Sequence, residues 1–135
     1  MTKEEIIDLI RDAGFGMLAT TEGAQPRIRP MMPYLTDEGQ LIVALLGRSR
    51  SIVQVKKNPQ IEFCFVDRKM WYCRVIGKAK ITNDRDKKET LWNAIPMLKQ
   101  YFGGINDPNF YLMEIDIIEV EAMTPHGKEP EKFTF

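Results

Sequence analysis

Ile61-Glu-Phe-Cys-Phe-Val-Asp-Arg-Lys-Met-Trp-Tyr-Cys-Arg-Val-Ile-Gly-Lys-Ala-Lys-Ile81 consists of two alternating apolar and polar runs around a short polar break. Ile61, Phe63 and Phe65 alternate with Glu62 and Cys64; Trp71, Cys73, Val75, Gly77, Ala79 and Ile81 carry the same period. A period of two turns one face of a strand to a core and the other outward. The break Asp67-Arg68-Lys69-Met70 has hairpin length, so the runs are predicted to pair antiparallel. With those four residues as the loop, Val66 faces Trp71, Phe65 faces Tyr72 and Cys64 faces Cys73. The cysteines are read as two small hydrophobes on neighbouring strands, in preference to a redox pair.

Four more strands are expected around this hairpin: Phe15 to Thr21, Pro26 to Leu35, Gln40 to Leu46 and Tyr111 to Ala122. The turn signals Glu22-Gly23-Ala24 and Thr36-Asp37-Glu38-Gly39 separate the first three. A leading helix opens on the capping box Thr2/Glu5 and stops at Gly14. A short helix over Arg50 to Lys57 has Ser49 as N-cap and ends at Asn58-Pro59. A charged helix opens near Asp84, carries Leu91 and Trp92, and is interrupted at Pro96. Six strands with short links imply a mainly β chain with peripheral helices, closing into a small antiparallel barrel.

Composition narrows the function classes. The 135 residues (15.6 kDa) are 44% hydrophobic and 28% charged, which suits one ordered domain over 1–135. Nineteen Lys+Arg balance nineteen Asp+Glu, and the pI is near 6.6, which argues against a dedicated nucleic-acid or anionic-membrane binder. No apolar run approaches the roughly 18 residues of a membrane helix. Met1-Thr2-Lys3-Glu4-Glu5 does not look like an export signal, so a cytoplasmic location is expected. Two cysteines and a single histidine, His126, rule out a disulfide framework and a multi-histidine metal centre. His126 lies in the polar stretch Thr124 to Pro130, where nothing fixes it as the base of a triad. No metal ligand and no catalytic acid, base or nucleophile is assigned.

The chemistry-bearing stretch is Gln25-Pro-Arg-Ile-Arg-Pro-Met-Met-Pro-Tyr34, followed by Leu46-Gly-Arg-Ser-Arg-Ser-Ile52. Between Gly39 and Ile61 there is no carboxylate, yet Arg48, Arg50, Lys56 and Lys57 fall inside. Local positive charge in a neutral chain points to an anion site. Ser49 and Ser51 interleave with arginines at a helix start, supplying amide, hydroxyl and guanidinium donors suited to a phosphate monoester; a solvated basic loop is the competing reading. Arg27 and Arg29 share a strand face with Met31, which suits a charged aromatic ligand or, equally, an ordinary outward face.

Taken in order, several segments resemble the pyridoxamine 5′-phosphate oxidase-like FMN-binding split-barrel superfamily. They are Pro26-Arg-Ile-Arg-Pro-Met-Met32, Asp37-Glu-Gly39, Leu41-Ile-Val43, Gly47-Arg-Ser-Arg-Ser51, Asn58-Pro59 with Ile61, and Val75-Ile-Gly-Lys-Ala79. The likeness spans roughly residues 13 to 83 and, more loosely, the whole chain. It implies a six-stranded antiparallel split barrel, a homodimer, and FMN held at the subunit interface. Arg29 then matches a strand arginine on the flavin phosphate side, and Pro30, Met31 and Met32 match the run whose backbone touches the isoalloxazine ring. Arg50, beside Ser49, matches a phosphate ligand, with Arg48 and Arg27 as further contributors. Ser51 stands where the family usually has a basic residue, and Tyr72 where some members have a flavin-contacting glutamine. Trp71 or Trp92 of the partner chain is a further candidate for the flavin walls.

The stretch from Tyr111 to Phe135 has no tryptophan and no arginine, unlike true vitamin B6 oxidases, so weak or absent pyridoxamine-phosphate oxidation is expected. The likeness is closer to small reductase-like and nitroimidazole-resistance-like members. The expected function is an FMN-dependent oxidoreductase passing electrons from a reduced nicotinamide or similar donor to a small organic acceptor. The alternative is a non-catalytic flavin- or haem-binding protein on the same fold, with His126 as the only histidine available to haem iron.

Overall fold

The computed structural model describes residues 1–127 and 129–135. Helix α1 (Lys3–Ala13) starts where Thr2 Oγ1 accepts from Glu5 N at 3.1 Å and stops at Gly14, whose φ of 75° favours a residue without Cβ. There follow β1 (Gly16–Glu22), β2 (Gln25–Met31), β3 (Tyr34–Leu35), β4 (Leu41–Leu46), α2 (Arg50–Lys57), β5 (Gln60–Val66) and β6 (Tyr72–Thr82). Helix α3 (Arg85–Ala94), a 3₁₀ turn (Pro96–Gln100), β7 (Phe110–Met123) and β8 (Glu131–Phe133) complete the chain. Asp84 caps α3 by accepting from Lys87 N, and Pro96 turns the chain from α3 into the 3₁₀ segment.

All strand pairs are antiparallel, in the order β2-β1-β5-β6-β7-β4-β3, with β8 added to β7. The six expected strands are present, but the sheet has eight. The predicted strand Pro26 to Leu35 is broken at Met32-Pro33 into β2 and β3 because proline cannot donate to a ladder. The two ends of the sheet path, β2 and β3, are therefore joined through only two residues while sharing no ladder. That gap is the split of the barrel.

The β5–β6 register is one residue off the expected one. Val66 pairs with Tyr72, Phe65 with Cys73, and Cys64 with Arg74. Asp67 N–H bonds Trp71 O, Met70 adopts φ 66°, and the Asp67 carboxylate accepts from the Lys69 and Trp71 amides. The loop is thus three residues long with a left-handed last residue, not four. A one-residue slip reverses faces, so Cys73 is in the core while Cys64 is half-buried on the opposite face. Both thiols are free; burial, and secondarily Cys64, push the Cys73 thiol up to about 12.

Leu18, Val43, Phe63, Phe65, Val75, Met113 and Ile115 fill the barrel beneath α1. Ile42, Leu91, Leu98, Phe102, Phe110 and Leu112 form a second cluster between the sheet and α3 with its 3₁₀ extension. Strand β4 lies between the two clusters, which explains why Leu-Ile-Val-Ala-Leu-Leu does not alternate with polar residues. Gly77 stands at a register shift in β6, where a Cβ would meet Ile115 Cγ2 at 2.6 Å. This close approach gives the glycine of Val-Ile-Gly-Lys-Ala its physical reason.

Candidate functional site

The split in the barrel opens into a cavity of about 890 Å³. Pro30, Met31 and Met32 form one wall, Val43 to Leu46 the floor, and Met97, Leu98, Tyr101 and Phe102 the opposite wall; Phe15 stands at the rim. Phe15 is 56% and Tyr101 60% exposed. Large apolar side chains left uncovered around a concavity mark a site for a ligand or partner. Arg48 and Ser49 close one end, and Arg48 is the only charged residue on the walls. A second cleft of about 560 Å³, lined by Ile10, Arg11, Tyr34 and Pro96 among others, shares Met32, Ile95 and Met97 with the first.

Helix α2 begins at the charged end of this cavity. Ser49 caps it by accepting from Ser51 N, which leaves Arg48 and Arg50 exposed on either side of the cap. Neither arginine forms an ion pair among the described residues. Ser51 is 3% exposed and turned inward, so its hydroxyl is not at the mouth.

One turn into α2, buried Gln54 ties the helix to the β1–β2 hairpin. Its Oε1 accepts from Thr20 Oγ1 and from Arg29 Nη2, both at 2.6 Å, and its Nε2 donates to Glu22 at 3.2 Å. Arg29 also donates to Thr20 Oγ1 at 2.8 Å and to Leu18 O at 3.3 Å. Burial first, then the charge of Arg27, presses the Arg29 pKa down. Arg27 is paired with Glu22 at 2.8 Å. Hydrogen bonds from Arg27 and Gln54 hold the Glu22 carboxyl below the usual carboxylate range, with a smaller contribution from the charge of Arg50. The two arginine-bearing segments therefore converge, with a division of labour: Arg29 is bonded within the scaffold and Arg27 is paired with Glu22 at its surface, whereas Arg48 and Arg50 are exposed and enter no ion pair among the described residues.

Gln54 is a residue the sequence reading missed, since an isolated glutamine in a short helix carries no pattern. Replacing Gln54 with Leu strands the Thr20 hydroxyl and one Arg29 nitrogen, and should lower the unfolding free energy by about 1–2 kcal/mol in urea titration. Phe15 and Met97 were also invisible, because they reach the cavity only through the tertiary fold. Tyr72 lies elsewhere: its hydroxyl donates to Met123 Sδ at 3.4 Å, on the outward face of β6, away from this cavity. Trp71 sits under Lys69 and Trp92 packs near Phe110, so neither lines the cavity of its own chain.

Among the described residues no group of three or more His, Cys, Asp and Glu could hold a metal ion. No described helix is long and apolar enough to cross a membrane. Residues 1–128 match the family described as pyridoxamine 5′-phosphate oxidase like. The chain belongs to that family. It is 26% identical over 135 residues to general stress protein 26 of Bacillus subtilis, covering 95% of this chain and 92% of that protein. The crystal structure of a NimC/NimA family protein from Clostridium acetobutylicum superposes with a TM-score of 0.85 at 26% identity, covering 98% of this chain and 91% of that one. An FMN-binding, pyridoxamine 5′-phosphate oxidase-related protein from Nostoc punctiforme superposes at 0.76 with 17% identity, covering 96% and 88%. A heme-binding protein from Mycobacterium smegmatis does so at 0.80 with 15% identity, covering 97% and 57%. The last two share the fold alone. The fold of this family member is the FMN-binding split barrel.

Proposed function

We propose that this family member is an FMN-binding flavoprotein that passes electrons from a reduced nicotinamide or similar donor to a small organic acceptor. The observation carrying this reading is the apolar cavity walled by Pro30, Met31 and Met32 and closed at one end by Arg48 and Ser49, with Arg50 following as the first residue of α2 and neither arginine in an ion pair among the described residues. A flavin mononucleotide needs flat apolar walls for its ring and charge-assisted donors for its phosphate, and the residues present fit both. Arg48, Arg50 and the Ser49 cap would hold the phosphate, while Met31 and Met32 would cover the ring. Arg29 and Arg27 act one step behind, holding α2 against the hairpin through Gln54 and Glu22. The bound flavin supplies the hydride and single-electron chemistry; the chain binds it, orients it and screens it from water. The neighbouring cleft past Met32 and Met97 offers room for an acceptor.

The working unit in this proposal is a homodimer. The outward face of β2, β1, β5 and β6 carries Ile28, Met17, Cys64, Val66, Ile76 and Tyr72 together with the charged Glu62 and Arg74, and Ile28 is 66% exposed. An uncovered sheet face with exposed apolar side chains among a few charges suits a second copy. In that proposed dimer Tyr72 would lie at the subunit interface, where a contact with the partner's flavin is open to it. The expected location is the cytoplasm, and vitamin B6-phosphate oxidation is expected to be weak.

The absorbance spectrum of the purified protein tests the reading: flavin bands are expected, and a Soret band would replace it with the haem alternative. His126 gives that alternative little support, being exposed in a turn outside the cavity. Oxidation of NADH or NADPH by the flavin-loaded protein then separates a reductase from a passive holder.

A further inference from the structure

Lys88 is only 8% exposed, yet among the described residues no carboxylate lies within ion-pair distance of it. Its ammonium donates to Asn83 Oδ1 at 3.2 Å and sits 5.2 Å from the centroid of the Phe110 ring. Lys87, next along α3, is the residue that takes the buried Glu114 carboxylate. An ammonium has three N–H donors, and a buried cation without a counter-charge is costly. Burial accordingly presses the Lys88 pKa below that of an ordinary lysine.

Lys88 lines a small cavity of about 280 Å³ between the start of α3 and the loop before β7. Arg85, Asn83, Asn106 and Asp107 stand on the same walls. Arg85 Nη1 donates to Asn106 Oδ1 at 2.6 Å, leaving other guanidinium N–H groups for a ligand. Asp107 is committed elsewhere: its carboxylate accepts from the amides of Gly103 at 2.8 Å and Asn109 at 2.9 Å. These bonds hold it below the usual carboxylate range.

We infer that this cavity is a binding site for a small oxyanion, a phosphate or carboxylate group, with the Lys88 ammonium as its central contact and Arg85 beside it. The site shares no wall with the flavin cavity and does not depend on the flavin reading. The anion would supply the counter-charge that the protein withholds from Lys88.

Isothermal titration of the purified protein with inorganic phosphate, and separately with acetate, tests this and tells the two sources apart. One site per chain is expected for at least one of them. Lys88→Met should weaken that binding about ten-fold or more, and Arg85→Gln by a smaller factor. The Arg48→Ala/Arg50→Ala variant should bind the anion as the parent does, which separates this site from the flavin phosphate site. Should Lys88→Met fail to fold, acylation of Lys88 in the unaltered protein, followed by peptide mass analysis, replaces it; the anion should slow the labelling several-fold. Binding that is absent for both anions, unchanged in the folded Lys88→Met variant, without effect on Lys88 labelling, or lost with Arg48 and Arg50 overturns the inference. Failure of the flavin reading would appear separately, as absence of FMN binding.

Discussion

Replacing Arg48 and Arg50 together with alanine should weaken FMN binding roughly 100-fold while leaving the unfolding transition almost where it was. Each guanidinium offers charge-assisted hydrogen bonds, worth about 1.5–3 kcal/mol to a charged group, with exposure favouring the lower end. About ten-fold per arginine follows. Stability is spared because both side chains are exposed and neither enters an ion pair among the described residues. Arg29→Ala should behave differently, losing stability together with flavin, because Thr20, Gln54 and the Leu18 carbonyl all lose a donor. Fluorescence titration with FMN, set beside thermal unfolding, separates the two patterns. Retained FMN affinity in the Arg48/Arg50 variant would remove these arginines from the phosphate role.

Lys87→Met should cost roughly 2 kcal/mol of stability at neutral pH, below the loss for a fully buried pair because the lysine is partly exposed. Glu114 is 3% exposed on β7 and is bonded to Lys87, with Lys80 opposite it on β6. Burial, the largest single influence, would raise its pKa, but the hydrogen bonds from Lys87 and Thr82 and the charges of Lys87 and Lys80 together outweigh it and leave the carboxyl below its ordinary value. A depressed carboxyl pKa contributes stability above the unfolded-state pKa and loses it as pH falls through the folded-state value. Without Lys87 the pKa moves up, since Thr82 and Lys80 alone offset burial less, so the variant carries a poorly compensated charge at pH 7 that acid relieves. The gap between variant and parent should therefore narrow from pH 7 toward pH 4 in urea denaturation. A gap independent of pH would show that Lys87 acts through packing alone.

Most of the strands, the three helices with their caps, and the two arginine segments were legible in the sequence because each rests on local rules, whereas β8 and the break at Met32-Pro33 were not anticipated. Period-two alternation marked β5 and β6, Thr2, Ser49 and Asp84 marked helix starts, and carboxylate-free Gly39 to Ile61 marked the basic segment around the start of α2. The hairpin register was not legible, because it depends on Met70 accepting a left-handed conformation, which its residue type does not advertise. Neither was the division among the arginines. Arg27, Arg29, Arg48 and Arg50 look alike as letters, and only the positions of Glu22 and Gln54 show which of them are already engaged. Phe15, Met97 and Tyr101 meet at one cavity from distant parts of the chain, a juxtaposition that no local pattern encodes.

The account stands on the phosphate end of the cavity, and the comparison of FMN with riboflavin addresses it directly. The two ligands share the ring and the ribityl chain and differ only in the phosphate that Arg48, Ser49 and Arg50 are proposed to hold. Titrated into flavin-free protein, FMN should bind at least about 100-fold more tightly than riboflavin, and the difference should collapse in the Arg48→Ala/Arg50→Ala variant. Equal affinity for the two ligands in the unaltered protein would contradict it.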